Sequence, residues 1–119
     1  MLPQPTCTKV PGAIGPVPDW LPAEFPLPSG TTLVGEQSDG AGGNIGLFSA
    51  PSADPAGYFA SVTAQLQAAG WAVTNYPESF APPDEREGSF AKPPQSLAFR
   101  INTYTYCGGA AQISVDVVG

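Results

Sequence analysis

Apolar residues alternate with polar ones near the end of the chain. Leu97, Phe99, Ile101, Thr103, Thr105 and Cys107 mark one side, and Arg100, Asn102, Tyr104 and Tyr106 the other. A period of two predicts a strand with one buried and one wet face. Gly108-Gly109 turns the chain, and Ile113, Val115 and Val117 then alternate with Gln112, Ser114 and Asp116, which completes a terminal hairpin. Two earlier runs, 31–37 and 44–49, read as strands joined by the glycine-rich tip 38–43. Between them and the hairpin the period becomes helical: Phe59, Val62, Leu66 and Ala69 share one face, with Tyr58 and Val73 nearby. Asp54 is placed to cap this helix, Pro55 to start it and Gly70 to stop it. A strand over 71–76 follows at once, so the helix reads as a crossover. The order β-β-α-β-β-β predicts an α+β fold, one antiparallel or mixed sheet with a helix packed on one face.

Two segments do not fit this pattern. Residues 1–30 hold eight of the fifteen prolines, which rules out a helix interior or a central strand. Yet they carry Val10, Ile14, Val17, Trp20, Leu21, Phe25 and Leu27, which a flexible linker would not need. The expectation is a proline-rich arm, partly polyproline II, packed along the surface of a domain spanning 31–119. The alternative is that its apolar groups insert into a neighbouring molecule. Residues 77–95 hold five prolines and the run Asp84-Glu85-Arg86-Glu87, and read as one long loop.

Composition narrows the function classes. The net charge is −6, and the only basic residues, Lys9, Arg86, Lys92 and Arg100, are scattered. Nucleic acid and anionic membrane surfaces need clustered cations, so neither is an expected partner. No apolar run has the length of about 18 residues that spans a bilayer, so no transmembrane segment is expected. The first residues show no basic and apolar stretch of signal-peptide type. The chain has no histidine, which excludes histidine-based triads and histidine metal sites. The glycine-rich stretch 40–46 lacks the dinucleotide spacing and a phosphate-binding lysine, and Asp39 with Asn44 falls short of a calcium shell. Glu78, Asp84, Glu85 and Glu87 are carboxylates of the kind a glycosidase pairs, but a proline-rich loop would hold them poorly. No cofactor, no metal and no enzymatic activity are expected.

The two cysteines, Cys7 and Cys107, bear on compartment. An even count at this separation suits one structural disulfide in an oxidising compartment. Buried free thiols, or a lipid on Cys7, are the alternatives. A bond would place the start of the arm beside the end of the strand bearing Tyr104 and Tyr106. The location expected is secreted or cell-envelope.

The remaining candidates are aromatic. Trp20, Trp71, Tyr76, Tyr104 and Tyr106 can form a platform for sugars or a protein, and Tyr104 and Tyr106 share a strand face with Arg100. Either Trp20 or Phe25 covers that second sheet face, or the face stays exposed for binding. Trp20, Phe25, Arg100, Tyr104 and Tyr106 are therefore the candidate binding residues.

Two stretches carry a resemblance. Leu21-Pro22-Ala23-Glu24-Phe25-Pro26-Leu27-Pro28-Ser29-Gly30-Thr31-Thr32-Leu33, and Tyr58-Phe59 followed by Leu66-Gln67-Ala68-Ala69-Gly70-Trp71, resemble small secreted or lipoprotein-type domains of high-GC bacteria. The resemblance implies export and an α+β domain, and brings no catalytic residues. The second stretch is also similar to sporulation-related peptidoglycan-binding repeats, from which this chain departs by lacking a second helix. The function expected is a non-enzymatic extracytoplasmic domain that binds a protein or cell-envelope partner. The alternatives are a structural subunit whose arm docks on the next copy, or a cell-wall glycan-binding module.

Overall fold

The computed structural model describes residues 8–38, 40, 42–51, 54–75 and 85–119. They form strands β1 (Thr32–Ser38) and β2 (Gly43–Ala50), helix α1 (Pro55–Ala68), and strands β3 (Ala72–Asn75), β4 (Glu85–Lys92), β5 (Gln95–Asn102) and β6 (Ala111–Val118). All six strands lie in one antiparallel sheet in the order β1-β2-β6-β5-β4-β3. Strands β2 and β3 run in the same direction with three strands between them, so α1 carries the chain across the sheet. The class is α+β, as the periodicity predicts.

The helix forms for the reasons visible in its sequence. The Asp54 carboxylate accepts a hydrogen bond from the Gly57 N–H at 3.1 Å, and Pro55 opens the first turn. Val62 and Leu66 are fully buried against the sheet. Gly70 takes φ +98°, the left-handed region that ends helices. The last turn holds no basic residue of its own. Lys92 of β4 supplies one, its Nζ donating to the Ala69 carbonyl at 2.8 Å, where the helix dipole favours a cation.

Strand β4 corrects the expectation of a loop over 77–95. Only Phe90 is a large apolar residue in Glu85–Lys92, so the strand's alternation is hard to see. Its other inward position on the helix side, Gly88, is small because the Phe59 ring presses on it: a Cβ there would stand 3.0 Å from the ring. A turn at Pro93-Pro94 joins β4 to β5. Glu78 and Asp84 lie outside the described residues, as do Tyr76 and Asp39.

The second correction concerns the proline-rich segment. Six strands at about 4.8 Å spacing make a sheet about 24 Å across, and one helix with its side chains is only about 10–12 Å wide. Helix α1 packs on β3, β4 and β5. The rest of the same face is closed by residues 20–27. Leu21 and Phe25 are buried in the main core, and Trp20 and Leu27 pack against it. The Phe25 ring meets Phe99 edge-on at 5.7 Å, and Phe99 also contacts Tyr58, Phe59 and Phe90. The Trp20 ring lies over Gly46, where a Cβ would stand 3.0 Å from it. Trp20 and Phe25 therefore cover the helix side of the sheet and not the second face.

Polar contacts fix the segment. Trp20 Nε1–H donates to Glu36 at 2.6 Å, and the Tyr58 hydroxyl donates to the Pro26 carbonyl at 2.7 Å. Burial pushes the Tyr58 phenol well above its ordinary range, so it stays a neutral donor. Trp71 Nε1–H donates to Glu24 Oε1 at 2.7 Å, with Lys92 Nζ 3.9 Å from the same oxygen. The indole hydrogen bond is the main reason the Glu24 carboxyl titrates below the usual carboxylate range; a backbone hydrogen bond and the Lys92 charge add to it, against desolvation. A group with a lowered folded pKa stabilises above its unfolded pKa, and that contribution is lost as pH falls through the folded value. Glu24→Gln keeps an acceptor for Trp71 and removes the titration. In urea unfolding, the native chain should lose stability relative to this variant as pH falls below about 4.3, the ordinary glutamate value.

Candidate functional site

Register decides what each face of the sheet carries. The helix side is apolar: Phe48, Ile113 and Ile101 pair across one row, and Val115 and Phe99 across the next. The opposite side has short and polar side chains in four rows. From β4 to β2 these read Glu85–Asn102–Gln112–Ser49, Glu87–Arg100–Ser114–Leu47, Ser89–Ala98–Asp116–Ile45, and Ala91–Ser96–Val118–Gly43. No helix covers this side among the described residues.

One corner of it is covered. Leu47 packs with Val34, Tyr106, Ala110 and Val10 in a second, small core. The cover comes from the segment after β5 and from the start of the chain. Thr8 pairs with Tyr106 in a parallel bridge, its N–H donating to the Thr105 carbonyl at 2.8 Å while the Cys107 N–H donates to the Thr8 carbonyl at 2.9 Å. No cysteine among the described residues is a free thiol. Cys7 lies outside them.

The alternation through 103–107 is not a continued strand. Strand β5 stops at Asn102, which is buried, and its Oδ1 accepts from the backbone N–H groups of Tyr104 and Thr105 at 3.3 and 3.0 Å. A side chain that satisfies the next backbone donors turns the chain out of the ladder. Tyr104 and Tyr106 therefore do not share Arg100's face as a strand would place them. Tyr106 is 5 % exposed and belongs to the second core, so its candidacy as a binding residue falls with that of Phe25. Trp20 is half-buried and committed to Glu36 and Gly46. Tyr104 and Arg100 remain on the surface.

These two belong to a charged rim. The Arg100 guanidinium donates to Glu87 Oε2 at 3.0 and 3.2 Å, and its Nε lies 3.5 Å from Glu85 Oε1. The Tyr104 hydroxyl donates to Glu85 Oε1 at 2.9 Å. The hydrogen bond to Glu87 leads the causes that hold Arg100 above its ordinary pKa, so it stays charged. Exposed pairs of this kind contribute about 0–1 kcal/mol each. Their consequence is shape: they hold Arg100 down across the β4–β5 rows. The two glutamates, expected as loop carboxylates, are committed to this cation.

Beyond the rim the floor drops. Three shallow depressions meet at Ala98. One of about 170 Å³ is lined by Thr74, Ser89, Ser96, Asp116 and Val118 with Ala98; one of about 190 Å³ lies between Glu87, Arg100, Ser114 and Asp116; one of about 150 Å³ lies between Glu87 and Ser89. Together they form a trough across β4, β5 and β6, floored by alanine and serine. Sequence reasoning missed Ser89, Ala98, Ser114 and Asp116. Their signal was available as the polar half of the β5 and β6 alternation, but small residues carry no recognisable chemistry singly. Among the described residues no group of His, Cys, Asp and Glu is set to hold a metal ion. No helix among them is long and apolar enough to cross a membrane. No family model, no curated protein and no solved structure matches the chain.

Proposed function

We propose that this chain is a non-enzymatic extracytoplasmic binding domain that meets a protein partner through the open face of its sheet. One observation carries the reading: the helix side is covered by α1 and residues 20–27, whereas no other described segment covers the β3–β6 half of the other side, which is troughed and rimmed by Arg100, Glu85, Glu87 and Tyr104. An antiparallel sheet can leave one face to water when its side chains are mostly polar or small, and in the rows of β4, β5 and β6 only Val118 departs from that. Arginine and tyrosine are residue types enriched in protein interfaces, and Arg100 and Tyr104 stand together on this surface. The site residues proposed are Arg100, Tyr104, Ala98 and Ser114.

Export is supported by the cysteines. The backbone of Thr8, next to Cys7, is hydrogen-bonded to Cys107 itself, so a Cys7–Cys107 disulfide needs no long reach. Such a bond belongs to an oxidising compartment. The likeness to secreted and lipoprotein-type domains of high-GC bacteria points the same way.

A second reading, a structural subunit docking through the N-terminal segment, has one observation in its favour: Ile14 and Val17 are about half exposed beside β1. One experiment separates the two. A photo-crosslinking amino acid is placed at Ala98, at Val17, or at Ala64 on the outer side of α1, and the protein is irradiated in the cells that produce it. Adducts at position 98 above the level at 64 are expected. Adducts at 17 alone, with the mass of a second copy, favour the subunit reading, and no excess at 98 overturns the open-face reading.

A further inference from the structure

We infer that the edge strand β1 takes an added strand: an extended, apolar segment of a partner protein pairs with the backbone of Glu36 and Ser38 and sets a side chain against Ile14 and Val17. This contact is separate from the open face and does not rest on it. The first ground is the path of the N-terminal segment. Val10 packs in the small core on the open side, and Trp20 and Leu21 pack on the helix side. Between them the chain passes round the β1 edge and pairs with it once. Ile14 N–H donates to the Leu33 carbonyl at 2.8 Å, and Gly15 bridges Leu33 in antiparallel sense. Pro16 and Pro18 have no N–H to continue the ladder. Register then fixes what is left unpaired. Leu33 points its carbonyl outward, so Phe48 opposite it points its backbone groups to β6, and Leu47 points its own to β1. The bulge between Leu33 and Gly35 sets Gly35 inward, opposite Leu47. Alternation from there points the backbone groups of Glu36 and Ser38 outward. No backbone group of the described residues is bonded to them on that side.

The second ground is apolar. A notch of about 280 Å³ lies between the segment and the edge, walled by Ile14, Val17, Leu33 and Glu36. Ile14 and Val17 are 59 % and 49 % exposed, two of the three large apolar side chains that the described residues leave in water. They flank Gly15, the point where the segment leaves the edge, so a strand continuing that line meets both. The two grounds name one kind of occupant. Outward backbone groups are satisfied by an extended chain, and an apolar notch beside them takes one of its alternate side chains. A second copy is disfavoured: pairing β1 with β1 brings two Glu36 side chains onto one short ladder, between chains of net charge −6. Strand β3, at the other edge of the sheet, is only four residues long and serves as the internal control.

The test uses the peptide acetyl-Thr-Val-Thr-Val-Thr amide as the probe. The control is the same peptide N-methylated at its three central residues, which keeps the side chains and removes the donors. Each is added to the intact chain, followed by amide hydrogen exchange and ¹H–¹⁵N correlation spectra. With the probe, exchange of the Glu36 and Ser38 N–H groups should slow, and shifts should centre on Ile14, Val17, Glu36 and Ser38. The methylated peptide should do neither. Ser38→Pro removes an outward N–H, a change that edge strands accept, and should weaken the interaction about fivefold, as loss of one hydrogen bond allows. Val17→Ser should weaken it about threefold, and keeps the test open if Ser38→Pro folds poorly. Ala64→Ser, on the outer side of α1, should leave it unchanged. Four results overturn the inference: no slowing at Glu36 and Ser38, an equal response to the methylated peptide, equal protection along β3, or slowing that rises with protein concentration alone and so marks a second copy.

Discussion

Phe99→Ala should destabilise the fold by about 3–5 kcal/mol, the range for emptying a buried aromatic site. The argument is one of convergence. Phe99 is 3 % exposed, and its ring is contacted by Phe25 from the N-terminal segment, Tyr58 and Phe59 from α1, and Phe90 from the neighbouring strand. Removing it takes one aromatic contact from each of those rings, and the two covering elements lose a side chain that both touch. A small domain has about 5–15 kcal/mol of stability in all. Chemical denaturation should therefore show a much lower midpoint. A loss below about 1 kcal/mol, the range of surface substitutions, would contradict the packing.

A chain beginning at Ser29 should fare worse and fail to unfold cooperatively. It lacks Leu21 and Phe25 from the main core, Trp20 and Leu27 that pack against it, and Val10 that packs against the second core. Each buried apolar side chain of this size is worth about 1.5–3 kcal/mol, so their joint loss is comparable with the whole stability. It also uncovers Gly46 and Phe48 on a sheet half that α1 does not reach. The shortened chain should expose apolar surface, bind a hydrophobic dye and lose its near-UV circular dichroism. A folded, cooperative product would show that this segment is an appendage. The intermediate variant Phe25→Ala in the full chain, expected to cost about 3–5 kcal/mol, separates loss of packing from loss of chain.

Local signals in the sequence were reliable where one residue type does one job. Asp54, Pro55 and Gly70 bound the helix, and the alternation of Leu97 to Ile101 and of Ile113 to Val117 marks strands β5 and β6. Strand β4 was hidden because its inward positions are Gly88 and Phe90, the first kept small by Phe59 and only the second large. Missing that strand made the sheet too narrow. A five-stranded sheet under one helix leaves little of the helix side bare, so the pattern does not point Trp20 or Phe25 to that side. With six strands the same apolar residues, Trp20, Leu21, Phe25 and Leu27, have an evident place beside α1.

The candidate site was less legible for a related reason. The alternation through Tyr104 and Tyr106 is regular in sequence and ends in space at Asn102, whose side chain takes the next two backbone donors. Arg100 and Tyr104 kept their exposure, while Phe25 and Tyr106 became core. The trough itself depends on cross-strand register. Ser89, Ala98 and Asp116 are far apart in sequence and carry no motif, and only strand pairing puts them in one row.

The central claim is that the proline-rich segment and the helix close one side of the sheet, and that no other described segment covers the β3–β6 half of the other side. Paramagnetic relaxation from a soluble gadolinium chelate reads this directly in the native chain. The Ala98 methyl and the Ser114 side chain should relax strongly, while the Phe25 ring and the Leu66 methyls stay shielded. A shielded Ala98 with a strongly relaxed Phe25 would contradict it.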